Sequence, residues 1–404
     1  MIIISREALP EPSIKNYIVE KIDNWNIIYT KEVKRYVGKN DELIYVLGEN
    51  FDEIGLYPLL SNDIGINTLL TFLPFINSPF AMVVIKRDHI IVARDPLGVY
   101  PIYFSRRAKV VSSEYGILRK HRDLRSINPA SLYIFNNQLE PTVVEYYSFS
   151  TASLKFTTEE IYRELYSFIN RVDHASRKIA VAFSGGIDSS IIASIALKIY
   201  EVELFTIGLR DSYDLQRAQE VSRNLGLNLN VITICKDDIE KELTHIKGKV
   251  PLRSIMDISI AIGFCILAKE LSKRGYKKVL VGQLADELFA GYSKYARIST
   301  KYLNKVLLRD VAKSHIGFER DVGAFNTYNV TPLFPFAQKR LVSKALKLDP
   351  CLKIRNGFNK FILRELAKRL ELPDIVVKGP KKAFQFGSKI ENIIKKFNLA
   401  QRVL

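Results

Sequence analysis

Cysteine is scarce in this chain. Its three cysteines in 404 residues (Cys235, Cys265 and Cys351) are far apart and odd in number. That excludes a disulfide framework and makes a reducing cytoplasm the expectation. Neither they nor the five histidines show the paired spacing of a zinc site. No apolar run is long enough to cross a bilayer, and the start MIIISREALPEPS lacks the basic region of a signal peptide. There is no internal repeat, no low-complexity linker and no long basic tract. The G-x-x-x-x-G-K-[ST] and G-x-G-x-x-G phosphate loops are also missing.

What remains is a globular composition, 47% hydrophobic and 25% charged. The length is too great for one ordinary core, so two domains are expected. A net charge of +17 raises the prospect of polyanionic partners, tRNA among them. The basic residues are spread along the chain in short clusters such as Arg106-Arg107, Lys277-Lys278 and Lys381-Lys382, with no aromatic RNA-binding motif. That distribution favours a solvated surface around an anionic substrate over a nucleic-acid interface.

Residues 1–150 read as β-rich. LIYVLG (43–48), FAMVVIK (80–86), HIIVARD (89–95) and SLYIFNN (131–137) are short, β-branched or aromatic, and separated by turn signals. Residues 151–404 change character. TTEEIYRELYSFINRV places Ile161, Leu165, Phe168 and Ile169 at helical spacing, with Thr157 or Thr158 as N-cap. Strands KIAVAF, ELFTIGL, LNVITI and KKVLVG then alternate with helices, including one over about 189–200 and a long one over about 258–274. This order predicts an α/β domain with a parallel sheet. From Ser293 onward the chain reads as mostly helical.

SGGIDSS (184–190) follows KIAVAF directly, so it lies at the carboxyl end of a parallel strand, where open α/β sheets bind ligands. Gly185 and Gly186 let backbone approach phosphate oxygens, and the amides and dipole of the following helix favour an anion there. Ser184 and Ser189 offer hydroxyl donors. A bare phosphate would repel Asp188, so its presence implies a Mg2+ ion between carboxylate and phosphate. A glycine turn with a helix-capping serine is the plainer reading. The full S-G-G-x-D-S pattern after an apolar strand points to ATP.

SGGIDSS resembles the loop of the PP-loop ATP pyrophosphatases. VGQLADELFAGY (281–292) resembles the GxGADELFGGY signature of the asparagine synthetase B and β-lactam synthetase family. ARDPLGVYPIYF, followed by SSEYGIL, resembles that family's glutaminase-type amino-terminal domain. The resemblance implies an Ntn-type β-rich domain over 1–150 and a PP-loop synthetase domain over 151–404. It implies Mg2+ held by Asp188 and Asp286; the plainer reading of Asp286 and Glu287 is stabilisation of a helix N-terminus, over which the metal role is favoured for Asp286 and left open for Glu287. It implies ATP phosphates on Ser184, Gly185, Gly186, Asp188 and Ser189, and adenosine against Phe183, Ile207, Val281 and Gly282. KGPKKAFQFGS (378–388) resembles the family's RxKKxxxxG loop, which implies that Lys381 stabilises charge on the tetrahedral intermediate and departing AMP, with Lys382 as partner or alternate. KFILRE (360–365) resembles a family helix with Lys360 near the phosphates.

The chain also departs from the family. No cysteine precedes Cys235 and no NGEIYN-type loop is found, so glutamine hydrolysis is not expected. VExRxPFLD reads VTPLFPFAQ (330–338), with Thr331, Leu333 and Gln338 replacing an acid, a base and an acid. Gln283 and Leu284 stand where relatives have an acid and a glycine. The helix over 258–268 carries no basic residue, while Glu319, Arg320 and Asp321 keep a charged cluster. The expectation is an AMP-forming amide ligase, with asparagine synthesis the leading reaction. It would join a small carboxylate to ammonia or another amine, with room for a separate glutaminase subunit and for a homodimer. The alternatives are a PP-loop tRNA-modifying enzyme and a non-catalytic nucleotide-binding partner subunit.

Overall fold

The computed structural model describes residues 1–7, 12, 17–48, 53–152, 156–172, 176–379 and 389–402. The chain divides into two compact units, Met1–Ser148 with Gly248–Pro251, and Phe149–Lys247 with Leu252–Leu404.

The first unit stacks two six-stranded antiparallel sheets. Strand periodicity explains the layering, because successive side chains point to opposite faces. In Ala81–Ile85, Ala81, Val83 and Ile85 meet Ile2, Ile4, Trp25, Ile27 and Phe104 of the other sheet. Met82 and Val84 turn the opposite way, onto Leu56, Leu59 and Leu69 of a helical layer. A strand buried on both faces cannot alternate apolar with polar, which is why this stretch is continuously hydrophobic. The other sheet is covered in turn by Leu118 over Ile3, Ile28, Tyr103 and Val110.

ARDPLGVYPIYF serves this fold locally. The buried Arg94 guanidinium donates to the carbonyls of Gly98 (2.6 Å), Tyr100 (3.0 Å) and Ile127 (2.6 Å). Asp95 accepts from the amides of Leu97 (2.8 Å) and Val99 (2.9 Å). Burial pushes the Asp95 carboxyl up to about 6. The motif's two charged residues therefore tie down a tight loop, with Gly98 at φ +61°.

The second unit is α/β, built on a five-stranded parallel sheet. Its order is Leu229–Ile234, Glu201–Leu209, Lys178–Ala182, Lys278–Leu280, Thr331–Leu333. The direction of winding reverses between Lys178–Ala182 and Lys278–Leu280, which pair in register Ala180 to Val279 and Val181 to Leu280. The first helix, Thr158–Asn170, opens with a capping box of Thr157 and Glu160. The helix expected over 189–200 runs over Ile187–Ala196, and the one expected over 258–274 over Ile255–Lys273. Thr331–Leu333 was not legible as a strand. It forms the sheet edge, where Pro332 is tolerated. Among the described residues, no helix is long and apolar enough to cross a membrane, and the three cysteines are free.

Candidate functional site

Open α/β sheets bind ligands beyond the carboxyl ends of their strands, where the winding reverses. Two of the sequence-predicted loops leave the sheet at that point. Phe183 extends Lys178–Ala182, its amide donating to the Phe205 carbonyl at 2.7 Å, and Val281 extends Lys278–Leu280, donating to the Leu333 carbonyl at 2.9 Å. Both side chains are buried, as is Ile207 on the neighbouring strand.

Gly185 adopts φ +67°, and a Cβ there would lie 2.8 Å from the Arg217 carbonyl. Only glycine fits that approach without strain. Gly186 caps the helix Ile187–Ala196 without a side-chain bond. The two serines close the loop on itself. The Ser184 amide reaches the Ser189 hydroxyl at 3.4 Å, the Ser189 hydroxyl donates to the Gly186 carbonyl at 3.2 Å, and the Gly186 amide donates to the Ser184 hydroxyl at 3.3 Å.

Asp188 and Asp286 converge on one nitrogen. Lys360 Nζ donates to Asp188 Oδ1 at 2.6 Å and Oδ2 at 2.5 Å, and lies 2.7 Å from Asp286 Oδ1. The lysine is 2% exposed. Burial depresses its ammonium, while the Asp188 carboxylate pulls in the opposite direction. Two glycines make the convergence possible. A Cβ on Gly291 would sit 1.7 Å from Asp286 Oδ1 and 2.2 Å from Lys360 Cε, and one on Gly282 would be 3.3 Å from the Asp188 Cβ. The backbone is strained nearby. Leu284, Ala290 and Lys360 adopt left-handed φ of 76°, 56° and 56°, costly for residues with a Cβ and typical of functional sites. Glu287 is directed elsewhere, accepting from the Tyr292 hydroxyl at 2.8 Å, and burial raises its carboxyl.

Beside this cluster a small pocket is lined by Gly186, Ile187, Arg217, Gly291, Asn359, Lys360, Arg364, Val376 and Gly379. Three of these are basic and none is acidic, which suits a polyanion at the end of a helix. Both arginines also brace backbone. Arg217 donates to the Gly185 carbonyl at 3.3 Å and to that of Ile375. Arg364 donates to the carbonyls of Asn359 (2.9 Å) and Val377. Sequence reasoning missed Arg217, Asn359, Gly291 and Arg364, and placed Lys360 only loosely. Lys381 and Lys382 lie outside the described residues.

A convergent carboxylate pair already holding a cation is the donor set that a hard divalent ion such as Mg2+ takes. Asp188 and Asp286 therefore fit the ion that the sequence implies.

The altered segment is absorbed into packing. Leu333 is buried, and buried Gln338 donates to the carbonyls of Glu164 and Pro335, both at 2.9 Å. An ionised acid at 338 could make neither bond. Arg320 bridges Asp257 at 2.9 Å and Asp321 at 2.7 Å, and Gln283 donates to Asp321 at 2.5 Å. Glu319 pairs with Arg253 at 2.8 Å. The cluster over 319–321 is thus paired through Arg253 and Asp257, at the start of the helix Ile255–Lys273, and through Gln283 in the 281–292 block.

The asparagine synthase family model matches residues 161–324 and 329–401. A protein of Methanocaldococcus jannaschii provisionally designated glutamine-hydrolysing asparagine synthetase 1 is 28% identical over 382 residues, covering 78% of this chain and 70% of that protein. Asparagine synthetase B of Escherichia coli, glutamine-hydrolysing, is 25% identical over 76% of this chain and 60% of its own length. For the human glutamine-hydrolysing asparagine synthetase the figures are 27%, 52% and 40%. The chain thus spans less than two thirds of the latter two. Among solved structures, the ammonia-dependent NAD synthetase of Campylobacter jejuni is similar at 15% identity and a TM-score of 0.32, over 62% of this chain and 89% of that one. That score is too low to bear on the fold, which rests on the sheet topology above.

Proposed function

The chain belongs to the asparagine synthase family, and from that premise we propose that it is an ATP-dependent amide ligase that forms AMP and pyrophosphate. The observation that carries the reading is the meeting of Asp188 and Asp286, from loops on adjacent strands, on one cationic point beside the glycine loop. Ser184, Gly185, Gly186, Asp188 and Ser189 would take the ATP phosphates, and Arg217 and Arg364 would add positive charge. Phe183, Ile207, Val281 and Gly282 would border the adenosine. Asp188 and Asp286 would hold Mg2+, which supplies charge neutralisation on the phosphates. Lys360 would then exchange carboxylate for phosphate.

A substrate carboxylate oxygen attacks the α-phosphorus and pyrophosphate leaves. The nitrogen lone pair of ammonia or another amine adds to the acyl carbon, AMP departs, and the nitrogen gives up a proton. Lys381 is proposed to balance the charge that builds on the intermediate and on AMP. Asparagine is the leading product. Glutamine hydrolysis is not part of the proposal. Ammonia would arrive free or from a separate glutaminase subunit, in a reducing cytoplasm, and a homodimer is compatible with the reading.

The test is pyrophosphate release from Mg-ATP, with and without aspartate and ammonia, beside an Asp188→Ala variant. Release that needs both aspartate and Asp188, with AMP and asparagine appearing, is the expected result. ATP binding without turnover on any carboxylate would favour the second reading, a nucleotide-binding partner subunit. The burial of Leu333 and Gln338 where relatives carry charge supports that alternative. Salt-dependent tRNA binding would instead mark a tRNA-modifying enzyme, for which the charge of +17 and the S-G-G-x-D-S loop speak and against which the 281–292 block stands.

A further inference from the structure

Away from the nucleotide pocket, the second unit gathers three different metal-ligand side chains. Glu242 and His245 stand three residues apart on the helix Lys236–Ile246, and so share a face. Cys265 lies on the helix Ile255–Lys273 and is fully buried. One donor atom from each falls within 4.8 Å of the other two. Cys265 Sγ is 3.3 Å from Glu242 Oε2, close to the edge of a tetrahedron with bonds of about 2.0 Å to oxygen and about 2.3 Å to sulfur.

The surroundings are organised around Glu242. Tyr328 donates to Oε1 at 3.1 Å and to Oε2 at 2.9 Å, and its ring stacks on the His245 imidazole at 5.0 Å. Thr327 Oγ1 lies 3.2 Å from Cys265 Sγ. The carboxylate already binds one cation, the Lys269 ammonium at 2.5 Å. The Lys269 side chain is 39% exposed, so its ammonium can swing to water.

We infer that Glu242, His245 and Cys265 form a site for one divalent ion of the zinc class, joining two helices of the second unit. One thiolate and one carboxylate cancel the charge of a divalent ion, so the loaded site is neutral in a buried setting, where net charge is costly. A mixed sulfur, nitrogen and oxygen set selects zinc over magnesium, and water would complete the tetrahedron. On binding, the Cys265 thiol proton passes to the buffer and Lys269 releases Glu242.

The experiment uses the full chain carrying Cys235→Ser and Cys351→Ser, which leaves Cys265 as the sole thiol. Metal-free protein is titrated with cobalt(II), a coloured stand-in for zinc. The expected result is a thiolate-to-cobalt charge-transfer band that saturates at one ion per chain and disappears when zinc is added. Adding Cys265→Ser abolishes the band, and His245→Ala lowers retained zinc to less than about a tenth of an ion per chain. No band at saturating cobalt, in a chain shown to be folded by circular dichroism, overturns the site, as does zinc retention unchanged by His245→Ala. The cobalt titration itself alters no proposed ligand, so misfolding of a ligand variant cannot imitate its outcome.

Discussion

Replacing Lys360 with methionine removes the positive charge between Asp188 and Asp286 while keeping most of the side-chain volume. The facing oxygens lie 2.5 and 2.7 Å from the same nitrogen. Without it, two carboxylates face each other within about 5 Å, a repulsion of about 3 kcal/mol at an effective dielectric of about 20. Relief of the desolvated ammonium offsets part of this, leaving a net loss of about 2 kcal/mol in metal-free buffer. For a unit of this size that is a fall in Tm of roughly 4–8 °C. A divalent ion that takes the ammonium's place returns about 2.7 kcal/mol at a hundredfold excess over its Kd. Lys360→Met is therefore expected to melt early in chelator and to recover in magnesium, while the wild type, which carries its own cation, gains less. Thermal unfolding in both buffers is the assay. The double variant Lys360→Met/Asp286→Asn should melt later in chelator than the single one. Equal melting of Lys360→Met and wild type in chelator, or an equal response to magnesium, would refute the reasoning.

Gly291→Ala should leave far-UV circular dichroism unchanged but weaken ATP binding more than about tenfold, because the new methyl overlaps Asp286 and Lys360; wild-type affinity by calorimetry would contradict this. Ala290→Gly, at a fully buried left-handed position, should stabilise by up to about 1 kcal/mol, and a lower Tm would argue against strain there. Lys353 is fully buried, donates to Asn304 Oδ1 at 2.7 Å, and has its amine pushed down to about 7 by burial. Between that value and the ordinary lysine range the unfolded chain binds the extra proton, so stability should climb from about pH 7 to 10 by up to ~1.4 kcal/mol per unit. In Lys353→Met that part of the slope should vanish in denaturant titrations at pH 7 and 9. A slope identical to wild type would mean that the amine is charged in the fold.

The phosphate loop could be read from the sequence because each of its parts is local. An apolar run, two glycines and an amphipathic continuation specify strand, turn and helix without help from elsewhere, and the same holds for the strand leading to Gly282. The partner that completes the carboxylate pair could not be read in this way. Lys360 reaches Asp188 across 172 positions, from a left-handed helix cap that no periodicity signals. Arg217 and Arg364 carry no motif of their own: Arg217 holds the carbonyls of Gly185 and of the distant Ile375, and Arg364 those of Asn359 and Val377 on either side of its own helix. Ser184 and Ser189 are the residue types expected for phosphate, but in the structure they bond within their own loop. Thr331 and Leu333 drew attention as replaced ionic residues, when the nearer fact is that they form an edge strand. The Glu242, His245 and Cys265 cluster was equally hidden, since two neighbouring helices bring it together without any ligand spacing along the chain.

Lys360 also follows Asp286 by 74 positions in the chain. A ribosome adding about 5–20 residues per second takes roughly 4–15 s to cover that interval. Throughout it both acids exist without the amine that reconciles them. The nascent unit can lay down its central strands early, yet the mouth of its nucleotide site stays electrostatically open until the later helix docks. Completion of this one contact thus precedes the last of the pocket's lining, which Arg364, Val376 and Gly379 bring from further along the chain.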